Sequence, residues 1–124
     1  MKSSNKSFVI ASDSVPETVV QSGRNTSKQV LISSERAPHF AMRRITIKAG
    51  GGLPNHTNEV EHEQFVLIGT GQVGIGDKIF TVKKGDALLI PAGINHWYEN
   101  SGDEAFSFLC LVPNKPDKIT MITD

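Results

Sequence analysis

Four side chains bound the chemistry open to this chain: His56, Asn58, His62 and His96. A neutral imidazole offers one nitrogen lone pair, and several of them converging suit a first-row divalent ion, with Zn, Fe, Ni, Cu and Mn all compatible with that ligand type. If the stretch around residue 57 is a strand, alternate side chains share a face, so His56 and Asn58 point together. His62 then enters on the next strand. Pro91 and Gly93 make a sharp turn that delivers His96 from a strand distant in sequence but opposite in space. Three protein nitrogens leave coordination positions open for water or substrate, as a reactive rather than a purely structural site requires. Asn58 adds only a weak, neutral carbonyl oxygen. His39, alone before Phe40, belongs to no such set.

The elements that must position these residues are strands. Helical periodicity is nearly absent, and short β-branched or aromatic runs recur between Gly, Pro, Asn and Asp clusters, the pattern of an all-β sandwich or barrel. The runs predict strands at 28–33, 40–47, 62–68, 72–75, 78–82, 87–90, 96–99 and 106–112. Gly76-Asp77 closes a tight hairpin, where positive φ is easy at glycine, and Lys84-Gly85-Asp86 reverses the chain. Residues 1–26 are rich in Ser, Asn and Thr and read as an extension that wraps the barrel or swaps a strand, with 8–10 as its candidate strand. The barrel itself is expected over 27–113. Residues 114–124 form a tail with a possible edge strand at 119–122.

At 124 residues the chain has room for one hydrophobic core. Thirteen Lys and Arg balance thirteen Asp and Glu, so there is no footprint for a phosphate backbone and nucleic acid is not expected as a partner. The polar N-terminus and the brief run Phe8-Val9-Ile10 supply neither a signal core nor a membrane span, and a cytoplasmic location is expected. The lone Cys110 agrees with a reducing compartment.

Two blocks in this sequence resemble the two motifs of the cupin family. The first is Gly50, five residues, His56, one residue, Asn58, three residues, His62, six residues, Gly69. The second, Gly85, five residues, Pro91, one residue, Gly93, two residues, His96, three residues, Asn100, fits the family's second motif at every defined position. The resemblance implies a double-stranded β-helix, or jelly-roll, barrel with a divalent metal ion (Mn, Fe, Zn or Ni) held by His56, His62 and His96. The chain departs from the usual pattern twice. His62 stands where most members have Glu, as in small single-domain cupins with four histidine ligands, and this leaves a bound ion more cationic and more attractive to an anionic substrate. Asn58 stands where that subgroup has its second histidine, so it takes the fourth ligand slot with a weaker donor. Glu63 is an alternative third ligand, although alternation and the gap to Gly69 favour His62.

The resemblance also implies pocket walls. Phe108 and Cys110 of the last strand would face the metal, Gln64 shares the face of His62, and either Trp97 or Tyr98 sits in the mouth. Across from them stand Ile45 and Ile47, or in the other parity Met42 and Arg44. The implied activity is oxygen-dependent cleavage or Lewis-acid isomerase or lyase chemistry on a small organic molecule, with a non-catalytic ligand-binding module as the alternative. A homodimer is expected, since a barrel of this size leaves an apolar sheet face and free edges. Only neutral imidazoles ligate, so acidification through about pH 6 to 7 should weaken the site if the rings are unperturbed.

Overall fold

The computed structural model describes residues 6–122. A single 3-10 turn, Ser12–Ser14, precedes ten strands: β1 (Thr18–Val19), β2 (Arg24–Ile32), β3 (Phe40–Thr57), β4 (His62–Ile68), β5 (Thr70–Ile75), β6 (Lys78–Lys83), β7 (Ala87–Ile90), β8 (His96–Glu99), β9 (Phe106–Pro113) and β10 (Thr120–Met121). Every pairing is antiparallel, and the main order is β6-β5-β8-β3-β9-β4-β7. The fold is all-β, a curled jelly-roll sheet. Among the described residues no helix is long and apolar enough to cross a membrane.

Alternation decides what the sheet encloses. On β4, His62, Gln64 and Val66 are buried while Glu63 and Phe65 face out; on β8, His96 and Tyr98 are buried. The enclosed faces supply one core that includes Ile45, Ile47, Val66, Val73, Ile90, Tyr98, Phe106 and Phe108. Strands from both halves of the sheet contribute, so burial of these side chains, each worth about 1.5–3 kcal/mol, closes the two halves on each other.

The joint between the halves is β3. Its first part, Phe40 to Ile47, pairs with β9, and its last part, from Gly52 to His56, pairs with β8. The sequence pattern predicts a strand ending at Ile47, because three consecutive glycines read as a breaker. They are instead the crossover: a side chain at Gly52 would stand 2.5 Å from the Tyr98 carbonyl oxygen, and one at Gly51 would meet the Arg24 carbonyl. Asn100, fully buried, fastens this joint. Its Nδ2 donates to the carbonyls of Ile47 and Glu104, both at 2.9 Å, and its backbone N–H donates to Gly51 O at 2.9 Å. On the outer side, Arg24 Nη2 grips Glu99 through both carboxylate oxygens and Nη1 donates to Gly50 O.

The segments set apart as extension and tail contribute strands. β1 and the start of β2 fall before residue 27, and β10 in the tail pairs with the end of β3, Met121 opposite His56. Residues 8–10 form no ladder; Phe8 instead lies under the Arg36 guanidinium, 4.0 Å from ring centroid to carbon.

Gly69 and Gly85 both hold positive φ, +81° and +94°, but differ in surroundings: a side chain at Gly69 would fall on the Ala105 carbonyl, whereas nothing lies within 4 Å at Gly85. Gly85→Ala should therefore cost only the left-handed strain, about 1–2 kcal/mol, and Gly69→Ala clearly more. Urea midpoints at unchanged m-value measure both. Equal losses would show that the Ala105 carbonyl is not the constraint.

Candidate metal centre

One cavity of about 150 Å³ is lined by His56, Asn58, His62 and His96. His56 is the next-to-last residue of β3 and stands directly opposite His96 at the start of β8. His62 begins β4 opposite Ile90 of β7. The turn that delivers His96 carries Gly93 at φ +82°, and the Gly93 N–H donates to the Asn58 carbonyl at 2.8 Å. That bond latches the second histidine block onto the first.

Two of the rings are oriented by backbone carbonyls, His56 Nδ1 on Pro54 O at 2.7 Å and His96 Nδ1 on Ile94 O at 3.0 Å. A carbonyl only accepts, so this assigns the proton of the neutral ring to Nδ1 and leaves the Nε2 lone pair free. His62 Nδ1 lies 3.6 Å from Cys110 Sγ. Four buried side-chain polar atoms then have no hydrogen-bond partner: the donor Arg43 Nε, and three with a lone pair to offer, His62 Nε2, His96 Nε2 and Asn58 Oδ1. The asparagine is held in that sense by the tail. Its Nδ2 donates to Asp117 Oδ2 at 2.9 Å, while Asp117 Oδ1 accepts the Glu59 N–H at 2.7 Å. The ring centroids of His56 and His96 are 4.2 Å apart, and those of His62 and His96 6.0 Å. Among the described residues no group of three or more His, Cys, Asp and Glu side chains stands in a geometry that holds an ion. The donor chemistry nevertheless fits one, because three buried atoms, two ring nitrogens and an amide oxygen, lack partners.

Burial sets the charge state. Desolvation lowers His62 to a pKa of about 4, helped by the positive charge of Arg43. Desolvation also lowers His96 to about 4, against an opposing pull from its bond to Ile94 O. The window of about pH 6 to 7 expected for unperturbed rings therefore does not apply to these two: leaving water costs the imidazolium more than the imidazole. Burial pushes the Tyr98 phenol up, so it stays protonated.

The wall residues sort by strand parity. Gln64, Tyr98, Phe108 and Cys110 line the cavity. Gln64 Nε2 donates to Tyr98 OH at 2.8 Å, and Tyr98 stacks on Phe108 at 5.2 Å. Trp97 and Met42, expected in the pocket, do not line it. Trp97 alternates to the other face of β8, with its indole against Gly74, and Met42 faces away because the inward parity of β3 is the one that carries Ile45. The same parity brings in Arg43, a residue not among the pocket walls expected from sequence although Ile45 and Ile47 on one face imply it. Asp117 and Ile119 also reach the cavity, from a tail with no local signal of its fold. Glu63 lies on the outer face, beside Glu61, whose hydrogen bond and charge raise its pKa. A larger hollow of about 490 Å³ on that side, near Phe40 and Glu63, contains none of the histidines.

The family model described as a cupin domain matches residues 43–112, which contain both histidine blocks. Mannose-1-phosphate guanylyltransferase of Escherichia coli is 38% identical over 69 residues, covering 54% of this chain and 14% of that protein, so the chain spans only a small part of that relative's length. The oxalate-binding protein of Thermotoga maritima is 26% identical over 118 residues, covering 90% of this chain and 98% of that protein. The solved structure of the polyketide cyclase RemF from Streptomyces resistomycificus has a TM-score of 0.88 at 23% identity, covering 96% of this chain and 87% of that one, a likeness of fold. A family match across more than half of the sequence, on the strands that build the cavity, has one meaning: the chain belongs to the cupin domain family.

Proposed function

We propose that this chain is a metal-dependent cupin enzyme that binds a divalent ion through His56, His62, His96 and Asn58 and acts on a small organic molecule in the same cavity. The observation that carries this is the set of three buried atoms without partners at His62 Nε2, His96 Nε2 and Asn58 Oδ1. Unpaired polar atoms in a core are costly, and an ion would satisfy all three. When bound, it would supply Lewis-acid polarisation of a substrate oxygen, or oxygen chemistry if it is redox-active. The residues of the chain do the rest. The Pro54 and Ile94 carbonyls hold two imidazoles as Nδ1–H tautomers, and Asp117 holds the Asn58 amide by its Nδ2, which leaves Oδ1 free for an ion. Tyr98 and Phe108 form a dry, stacked wall.

A second proposal, a non-catalytic ligand-binding module, draws on Asn58, a weaker donor than the histidine of the four-histidine subgroup, and on the loose spacing of the rings. Elemental analysis of protein purified without chelator separates the two: about one ion per chain supports the enzyme, and none after supplementation with Mn, Fe, Ni or Zn supports the module. Asn58→His should tighten metal binding, since an imidazole is the better ligand. Unchanged affinity would remove Asn58 from the ligand set.

The buried rings also give the metal-free protein a pH signature. The folded state keeps His62 and His96 neutral down to about 4, while in the unfolded chain they take up protons near the ordinary value of 6.5. Between those values the unfolded state binds more protons, so stability falls as pH falls, by up to about 1.4 kcal/mol per pH unit for each ring. Urea midpoints across that interval measure the slope; a flat profile would mean the rings are not shielded from water.

The proposal includes a homodimer that covers the exposed Phe40, Phe65 and Leu89. Light scattering should give twice the chain mass of 13.5 kDa, and Phe65→Lys should return the monomer. A wild-type monomer at micromolar concentration would remove this part.

A further inference from the structure

Arg43 carries a positive charge that no carboxylate of the described chain pairs with. Ion pairs join Arg24 to Glu99 and Lys83 to Asp86, and neither involves Arg43. Arg43 lies on β3 opposite Cys110 of β9 and lines the histidine cavity. Its Nη2 donates to Cys110 Sγ at 3.4 Å, a weak acceptor, and its Nε is buried with no partner. The one carboxylate lining the cavity, Asp117, has both oxygens engaged by Asn58 and Glu59. Lys28 and Arg43 against Asp117 leave one positive charge in excess, and no other carboxylate lines the cavity to cancel it.

We propose that Arg43 is a carboxylate-binding subsite and that this cavity takes a small organic carboxylate, its oxygens on the guanidinium and its other polar atoms toward His56, His62 and His96. The class follows from shape and donor count. The cavity is small, about 150 Å³, a size that suits a small molecule. Tyr98 and Phe108, which stack on each other at 15° from parallel, close the cavity on its core side. One guanidinium edge matches the two oxygens of a carboxylate. The inference rests on the proposed function only in placing the reacting end of the ligand at the imidazoles; the contact with Arg43 stands without an ion.

The test titrates malonate, its neutral diamide malonamide and inorganic phosphate into metal-free wild-type, Arg43→Gln and Arg43→Lys protein, read by calorimetry or ligand-observed NMR. Wild type should bind malonate about tenfold or more tightly than malonamide. Arg43→Gln should abolish that preference, and Arg43→Lys, which keeps the charge without the fork, should restore part of it. Equal malonate affinity in wild type and Arg43→Gln, or no preference for malonate in wild type, overturns the proposal. Phosphate bound more tightly than malonate overturns the carboxylate assignment. If Arg43→Gln does not fold, the wild-type preference and its reduction in Arg43→Lys decide the matter. Metal loading of the same preparations is measured separately. Failure to bind an ion, with malonate preference retained, removes the metal function and supports the subsite; normal loading without preference does the reverse.

Discussion

Strand β3 starts as a neighbour of β9 and ends as a neighbour of β8, and it changes partners across three glycines, residues 50–52. The backbones of Arg24 and Tyr98 approach so closely there that Gly51 and Gly52 leave no room for a side chain. Side chains alternate along a strand, so the residue at which the crossover ends determines the face that His56 presents. Asn100 holds that point from inside the core through its bonds to Ile47, Glu104 and Gly51. A buried amide at one end of β8 thus sets the place of an imidazole opposite the other end.

The same economy governs charge in the cavity. His62 and His96 lose water on folding, which keeps them neutral, and neutral imidazole is the form with a free lone pair. Backbone carbonyls two residues upstream fix the ring tautomers of His56 and His96. These arrangements are made when the barrel folds, so the cost of ordering them does not fall on ligand binding. The tail adds one more constraint by holding Asn58 through Asp117, with its turn closed onto β3 at Thr57 and His56.

Cupin barrels turn up in company that shares no single activity: part of a guanylyltransferase, an oxalate-binding protein and a polyketide cyclase are all similar to this chain. Such a scaffold cannot name a reaction, and function has to be argued from the walls of the cavity. Here those walls combine the polar Arg43, Gln64 and Cys110 with the stacked rings of Tyr98 and Phe108, whose Tyr98 hydroxyl is tied to Gln64. The Arg43 charge lies close enough to His62 to add to burial in lowering its pKa.

Much of this architecture is legible in local sequence. β4, β7 and β8 begin and end where residue type and turn chemistry place them, because alternation and breakers are short-range signals. The histidine blocks are legible too, as spacing that survives without knowledge of contacts. The continuation of β3 through residues 50–52 is not, since glycines that end a strand and glycines that let two backbones touch look alike until the neighbour is present. Nor could local pattern choose Tyr98 over Trp97 or Arg43 over Met42, because parity is relative and needs a core to define inward. Asp117 is the extreme case: it reaches Asn58 across 59 positions, and only the closing of the tail over the barrel brings those two residues together.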